Sequence, residues 1–554
     1  MGRVSRVPRR QSSPRLAALL AILVCAGSIA LVGCGAPSDK QAATNSAPVK
    51  GGTLKLVGQP VTLDPATCGD VDSAMVDHCL YETLYGYAAG PLGKGTKLEP
   101  GLAAEMPSVS ADGKVYRITL RTNSRFAPPV DRPVTATDVR YSFERMLHEP
   151  LAVYTFFYAS ILGADEYMSG EADHVEGFRV VDERTIELRL KEPDPTLVHA
   201  FALAPTGVVP REWVEKWGRK FGQHPLGSGP FMLEKWSQSS KATLKRNPKY
   251  WKAEEVWLDG VEFLPYSSSM TDMMKLQRGQ LDLCWASQAD YVKLRSDPKW
   301  WQYYEEELQV SQNYLVINTQ MEPFDDVRVR QALNWAIDRD RNAKMHGCPP
   351  SYQILPKGMP GYIDGAKYYG YDPGQAKLLL AAAGYPEGFK TTLSVSAESD
   401  SANQVAQAVQ DDLRQVGVDA AIERRPGMSY FTELATPKTI ALGVSGWWMD
   451  FPDPYDWVKP LFSKSAAVEN GTNYSFWWDA QVEEMLDDAQ ATLDEEERIA
   501  KFSDIQEVIS DNAPIVPLYQ LLAGALRSPA VGGFYIHPLY GFDPEHYWSQ
   551  ESRD

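Results

Sequence analysis

The sequence predicts an α/β protein of two or three domains, on three observations. At 554 residues the chain is too long for a single hydrophobic core. Its composition, 44% hydrophobic, 23% charged and 11% aromatic, is that of a folded globular chain. Along it, short apolar or alternating runs are interspersed with longer segments of helical period. One stretch stands out. Leu442-Gly443-Val444-Ser445-Gly446 opens as a buried strand and continues into Trp447-Trp448-Met449-Asp450. Pro452 and Pro454 then stop any ladder. A strand thus delivers two tryptophans and a carboxylate to a loop at its carboxyl end, where open α/β sheets bind ligands. Aromatic walls with a few fixed polar groups suit a small molecule, and a held carboxylate suits an ammonium group. The same residues also fit a buried aromatic core with Asp450 capping a turn.

The formal net charge is -17, and the first 33 residues contribute five arginines and no acid, so the remainder is more acidic still. Such a body is repelled by phosphate, which excludes nucleic acid as an expected partner. Residues 1–33 read as a secretory signal peptide: a basic segment from Arg3 to Arg15, then an apolar run from Leu16 to Val32. Leu31-Val32-Gly33-Cys34 resembles a bacterial lipobox, which implies cleavage before Cys34 and a lipid on its sulfur. Residues 34–50 are small and polar and read as a flexible tether. No later segment has the roughly 18 apolar residues of a membrane-crossing helix. The expectation is an extracytoplasmic protein held to the membrane by lipid. Four cysteines follow: Cys68, Cys79, Cys284 and Cys348. Outside the cytoplasm an even count permits disulfides, and Cys68 with Cys79 could staple the start of the fold. The absence of C-x-x-C spacing argues against zinc, and no metal or cofactor is expected.

The body opens with alternation at Gly51 to Val57, a strand, then a turn at Thr62-Leu63-Asp64-Pro65 and a helical stretch ending in Tyr81-Glu82-Thr83-Leu84-Tyr85-Gly86. Val115 to Arg121 alternates as a strand, and Thr135 or Thr137 can cap the helix that runs through Arg145. Gly177 to Leu190 gives two strands around Asp182-Glu183-Arg184. The loop Gly227-Ser228-Gly229 lacks the Lys-Ser/Thr ending of a phosphate loop; its glycines are expected to let the chain cross between lobes. Asn313 to Asn318 reads as a strand, and Phe324 to Asp338 as a helix with an apolar stripe. A helix then runs from Asp372-Pro373 to a stop at Gly384. Ala402 to Val416 is a helix, Val418 to Glu423 a strand, Leu493 to Asp511 a charged helix, and Ala513 to Tyr519 a buried strand.

Taken in order, several of these segments resemble the dipeptide/oligopeptide-binding family (family 5) of extracytoplasmic solute-binding proteins of ABC importers. Gly51-Gly52-Thr53-Leu54, Thr62-Leu63-Asp64-Pro65 and Tyr81-Glu82-Thr83-Leu84 match the family's opening. Pro133-Val134-Thr135-Ala136-Thr137-Asp138-Val139 matches P-V-T-A-x-D-V, although the preceding F-H-D-G of the family is altered and longer here. Arg246-Asn247-Pro248-Lys249-Tyr250-Trp251 matches R-N-P-x-Y-W, and Val329-Arg330-Gln331-Ala332-Leu333-Asn334-Trp335-Ala336-Ile337-Asp338-Arg339 is close to V-R-Q-A-L-x-Y-A-I-D-R. The resemblance spans about Gly51 to the C-terminus. It implies a bilobed periplasmic-binding-protein fold (type II, the large three-domain variant) with a hinge between lobes. On the family's plan, 51–90, 223–312 and 521–554 form lobe I, 91–222 an additional subdomain, and 313–520 lobe II. Hinge closure on the solute and delivery to an ABC permease in the membrane follow from the same resemblance, with a monomer expected.

In peptide-binding relatives an aspartate in W-x-x-D-x-x-[DE]-P receives the α-ammonium. Trp447-Trp448-Met449-Asp450-Phe451-Pro452-Asp453-Pro454 fits that pattern. The resemblance implies Asp450 as acceptor and Trp447 beside the ligand, with Trp448 as the alternative, and it places Asp453 in the same motif. Where dipeptide-specific relatives use an arginine for the ligand's carboxylate, this chain has Asn403 and Gln404; Arg424 and Arg425 could substitute or could be solvated surface. Oligopeptides therefore fit better than strict dipeptides. Other solutes stay open: oligosaccharides, metal chelates or opine-like compounds, as does a sensor or adhesin role without transport. A glycosidase using Asp450 and Asp453 is the enzyme alternative. No H-E-x-x-H or G-x-S-x-G motif supports an enzyme.

Overall fold

The computed structural model describes residues 48–150, 152, 154–237 and 240–550. The expected signal peptide, the lipidation site Cys34 and most of the tether lie outside the described residues. The last tether residues are fixed rather than free: the Val49 N–H donates to the Ser549 carbonyl at 3.3 Å, and Lys50 pairs with Glu254 at 2.7 Å. Among the described residues no helix is long and apolar enough to cross a membrane.

Three main sheets organise the chain. The first has seven strands, in the order Tyr304–Leu308, Leu522–Arg527, Leu283–Ala286, Thr53–Val57, Gly260–Leu264, Ala242–Arg246, Phe231–Trp236. Its opening strand lies at the centre, parallel to both neighbours, and every residue of Thr53–Val57 except the first is wholly or largely buried. The second has five strands, in the order Asp419–Arg425, Lys390–Ser396, Leu442–Trp448, Ser311–Ile317, Ile515–Tyr519. The third is a four-stranded antiparallel sheet of Ser108–Val109, Val115–Thr119, Thr185–Arg189 and Phe178–Val180.

Alternation of side chains explains how the five-stranded sheet is buried on both faces. Leu315 and Ile317 enter one core with Leu393, Val395 and the helices Val327–Ala336 and Asp400–Gln415. Their neighbours Tyr314 and Val316 enter the opposite core with Trp457, Phe462 and Phe502. The chain passes between the seven- and five-stranded sheets at two adjacent places. Tyr304–Leu308 runs into Ser311–Ile317 through Gln309 and Val310, and Ile515–Tyr519 returns into Leu522–Arg527 through Gln520 and Leu521. The two crossings are tied together, with the Gln309 N–H donating to the Leu521 carbonyl at 3.0 Å.

Local chemistry sets the element ends. Thr135 caps helix Ala136–His148 in a reciprocal box with Asp138, and Arg132 grips the same carboxylate at 2.7 and 2.8 Å. The helix expected over Phe324 to Asp338 forms over a shorter span. Val327–Ala336 ends because Ile337 is extended, and Asp338 caps a second helix, Arg339–Met345. The expected role of Gly227 and Gly229 is also corrected. Both lie against the last carbonyl of helix Val71–Leu80, where an added Cβ would stand 2.3 and 2.6 Å from Leu80 backbone atoms. Close approach, not a passage between lobes, demands glycine there.

Candidate ligand-binding site

After Trp448 the two prolines turn the chain into helix Tyr455–Phe462. The turn between is pinned at three points. Phe451 is fully buried in the core of the four-stranded sheet, its ring 4.9 Å from that of Phe157. Asp453, 2% exposed, pairs with Arg498 of helix Glu495–Asn512 through Nη1 to Oδ1 at 3.0 Å and a second contact to Oδ2. Asp456, fully buried, accepts the Asp450 N–H at 2.9 Å, and its own carbonyl takes the indole N–H of Trp447 at 3.1 Å. A side chain held by packing and hydrogen bonds on this scale is preorganised to receive a ligand.

The pinned turn closes one side of a cavity of about 330 Å³, within the range of small-molecule sites. Three parts of the chain build it. Trp448 and Asp450 come from the end of the five-stranded sheet. Tyr154 and residues 202–205 come from the region of the four-stranded sheet. Cys68 to Asp70 and helix Val71–Leu80 come from beside the seven-stranded sheet. Tyr87 and Tyr540 add aromatic surface. Trp448, 51% exposed overall, presents its indole on the cavity side.

The cavity is acidic. Asp70, Asp77 and Asp450 line it, and no lysine or arginine does among the described residues. Burial pushes the Asp450 carboxyl up to about 6, while the Asp456 carboxyl and the Tyr154 phenol beside it favour its ionised form. Asp456 is driven well above the usual carboxylate range, by burial first and then by the charge of Asp450. Asp456 therefore holds the proton of the pair and Asp450 carries the charge. Asp77 is likewise raised well above that range, by burial and then by the charge of Asp64.

The structure brings Asp450 and Trp448 onto the cavity. Trp447 is not on its wall: its indole is bonded to Asp456 and packs against the core that holds Trp457. Asp453 is a correction, for its carboxylate is committed to Arg498 and does not face the cavity. The same commitment removes the carboxylate pair required of a glycosidase. The Cys68–Cys79 staple is also corrected: both are free and buried. Cys68 adjoins Asp77, and side chains two apart on a helix point in nearly opposite directions, so Cys79 turns away, toward the Met75 carbonyl at 3.5 Å. Arg424 bonds Asn403 at 2.6 Å, and Arg425 pairs with Glu423 and Glu433; neither reaches the cavity. Asp77, Asp456 and Tyr154 are absent from the residues singled out in the sequence. For Asp77 a signal existed: with Ser73, Val76 and Leu80 it occupies the buried i, i+3, i+4, i+7 face of its helix, an unusual place for an acid.

Comparison with known proteins agrees with this architecture. The glutathione-binding protein GsiB of Salmonella typhimurium is 28% identical over 489 residues, covering 87% of this chain and 91% of that relative. The structure of HbpA2 from Haemophilus parasuis superposes with a TM-score of 0.77 at 25% identity, covering 89% of this chain and 98% of that one. The periplasmic binding protein DppA from Helicobacter pylori, solved with the peptide STSA, has the same fold, with a TM-score of 0.72 at 24% identity over 91% and 99% of the two chains. GsiB and DppA are both named as binding proteins rather than enzymes. Residues 97–469 match the family described as bacterial extracellular solute-binding proteins, family 5, and with more than half of the chain inside that match, the protein belongs to this family of ABC-importer solute-binding proteins.

Proposed function

We propose that this protein captures a peptide by its amino terminus at Asp450 and delivers it to a membrane permease, with the lipid on Cys34 keeping it at the membrane. The observation that carries this reading is the ionised Asp450, fixed by Asp456 and facing an aromatic cavity lined by no lysine or arginine among the described residues. A buried carboxylate held without a countercharge is suited to an ammonium group. Lobe I on the seven-stranded sheet, the four-stranded subdomain and lobe II on the five-stranded sheet each contribute to the cavity, as a clamp requires. The acidity speaks against neutral oligosaccharides and against glutathione, the solute in the name of the Salmonella relative, whose two carboxylates would find no lysine or arginine on this wall. Native mass spectrometry of the full chain tests the reading. Bound peptide masses, lost in Asp450→Asn, are the expected result. A single non-peptide mass unaffected by that substitution would replace the peptide with another solute.

A further inference from the structure

Asp77 lies across the same cavity wall, on helix Val71–Leu80, and is 1% exposed. Apart from the weak thiol donor of Cys68, neither of its carboxyl oxygens has a hydrogen-bond partner among the described residues. Its neighbours are already engaged. The Cys68 thiol beside it is a weak donor directed to the Asp70 carbonyl at 3.9 Å. Asp70 accepts the Ser73 N–H and hydroxyl at 2.9 and 2.6 Å. Arg145 is held by Asp64, with Nη1 to Oδ1 at 2.8 Å. His78 turns its imidazole to Asp543 at 3.5 Å and stacks on Tyr540 at 3.7 Å. Burial keeps this carboxyl protonated in the empty site, and a cation placed against it supplies the missing partner and displaces the proton to solvent. The ring faces of the cavity tyrosines favour a cation in the same space.

We infer that Asp77 is a second cation-receiving residue, and that the site selects peptides carrying a lysine- or arginine-type group in addition to their amino terminus. The inference rests on the peptide reading and assigns the two charges of such a ligand separately, the amino terminus to Asp450 and the basic side chain to Asp77. It follows that Asp77 sets selectivity rather than overall capture.

Isothermal titration of the full chain tests it, with tri-alanine and the same peptide carrying lysine or its uncharged isostere norleucine at the first or second position. One lysine peptide should bind about tenfold or more tighter than its norleucine counterpart, the size of one hydrogen bond to a charged group. Asp77→Asn should abolish that preference, whereas Asp450→Asn should weaken both peptides and keep the preference. The thermal midpoint of ligand-free Asp77→Asn should equal or exceed that of the wild type, because an unpartnered buried acid is removed; this excludes misfolding as the cause. Equal affinities for lysine and norleucine, or a preference that survives Asp77→Asn, would overturn the role of Asp77 with the peptide reading intact. Failure of the wild type to bind any of these peptides would overturn both.

Discussion

Asp450 and Asp456 divide one task between two carboxyls. Burial raises both, and the proton settles on Asp456, which lies deeper and has no charge of its own to offer the ligand. The pH dependence of capture follows. An ammonium ligand needs Asp450 ionised, and its folded-state pKa near 6 lies above the usual carboxylate value. Affinity should be full above neutrality and fall as pH drops through about 6, approaching tenfold per pH unit below it. Titration calorimetry between pH 4.5 and 8 measures this. A flat profile in the wild type, or the same slope in Asp450→Asn, would show that another group controls binding. Asp456→Asn can still accept the Asp450 N–H and donate to its carboxylate, so it should bind nearly as the wild type. Asp456→Ala should lose about 1–3 kcal/mol. The place of Asp450 on a loop at the end of a strand was legible in the sequence, because prolines stop the strand there. Asp456 was not, since nothing local distinguishes a helix-opening aspartate that faces solvent from one that faces a second carboxyl. The exchange between Trp447 and Trp448 has the same origin: adjacent residues of a strand point to opposite faces, and only the register with Ser311–Ile317 decides which faces the cavity.

At the scale of elements, the buried pair of Asp453 and Arg498 fastens the site turn to helix Glu495–Asn512. Removing one partner leaves the other charged and buried, so Arg498→Ala should destabilise the protein by about 3–5 kcal/mol. Chemical denaturation followed by tryptophan fluorescence reads this loss. Since Asp453 does not face the cavity, peptide affinity under native conditions should change far less than in Asp450→Asn. A stability loss below 1 kcal/mol would mean that solvent reaches the pair. Most elements could be read from periodicity and caps, as the Thr135 box and the alternation of Val115–Thr119 show. The helix expected to reach Asp338 stops at Ala336, an end concealed because the apolar Ile337 continues the helical stripe past it. Only Asp338, a good capping residue, marked the start of a new helix.

For the molecule as a whole, sheet topology lay beyond local pattern. The strand Thr53–Val57 pairs with partners more than 200 residues away, and no spacing in the chain announces that; the expectation of lobes came from resemblance. The structure adds the physical basis for a hinge in the paired crossings at Gln309–Val310 and Gln520–Leu521. Gln520 is anchored there, accepting the Lys357 N–H at 2.9 Å and donating to the Lys357 carbonyl at 3.0 Å. Two adjacent connections allow rotation about one axis while resisting shear, the requirement for closure around a ligand. Small-angle scattering of the full chain, stripped of ligand by unfolding and refolding and then saturated with peptide, should show a smaller radius of gyration in the bound form. Asp450→Asn should stay at the larger value at the same peptide concentration, because closure is driven by the difference in ligand affinity between the two forms. Identical scattering curves with and without bound peptide would show that the two sheets do not move, and that the crossings serve as rigid connections.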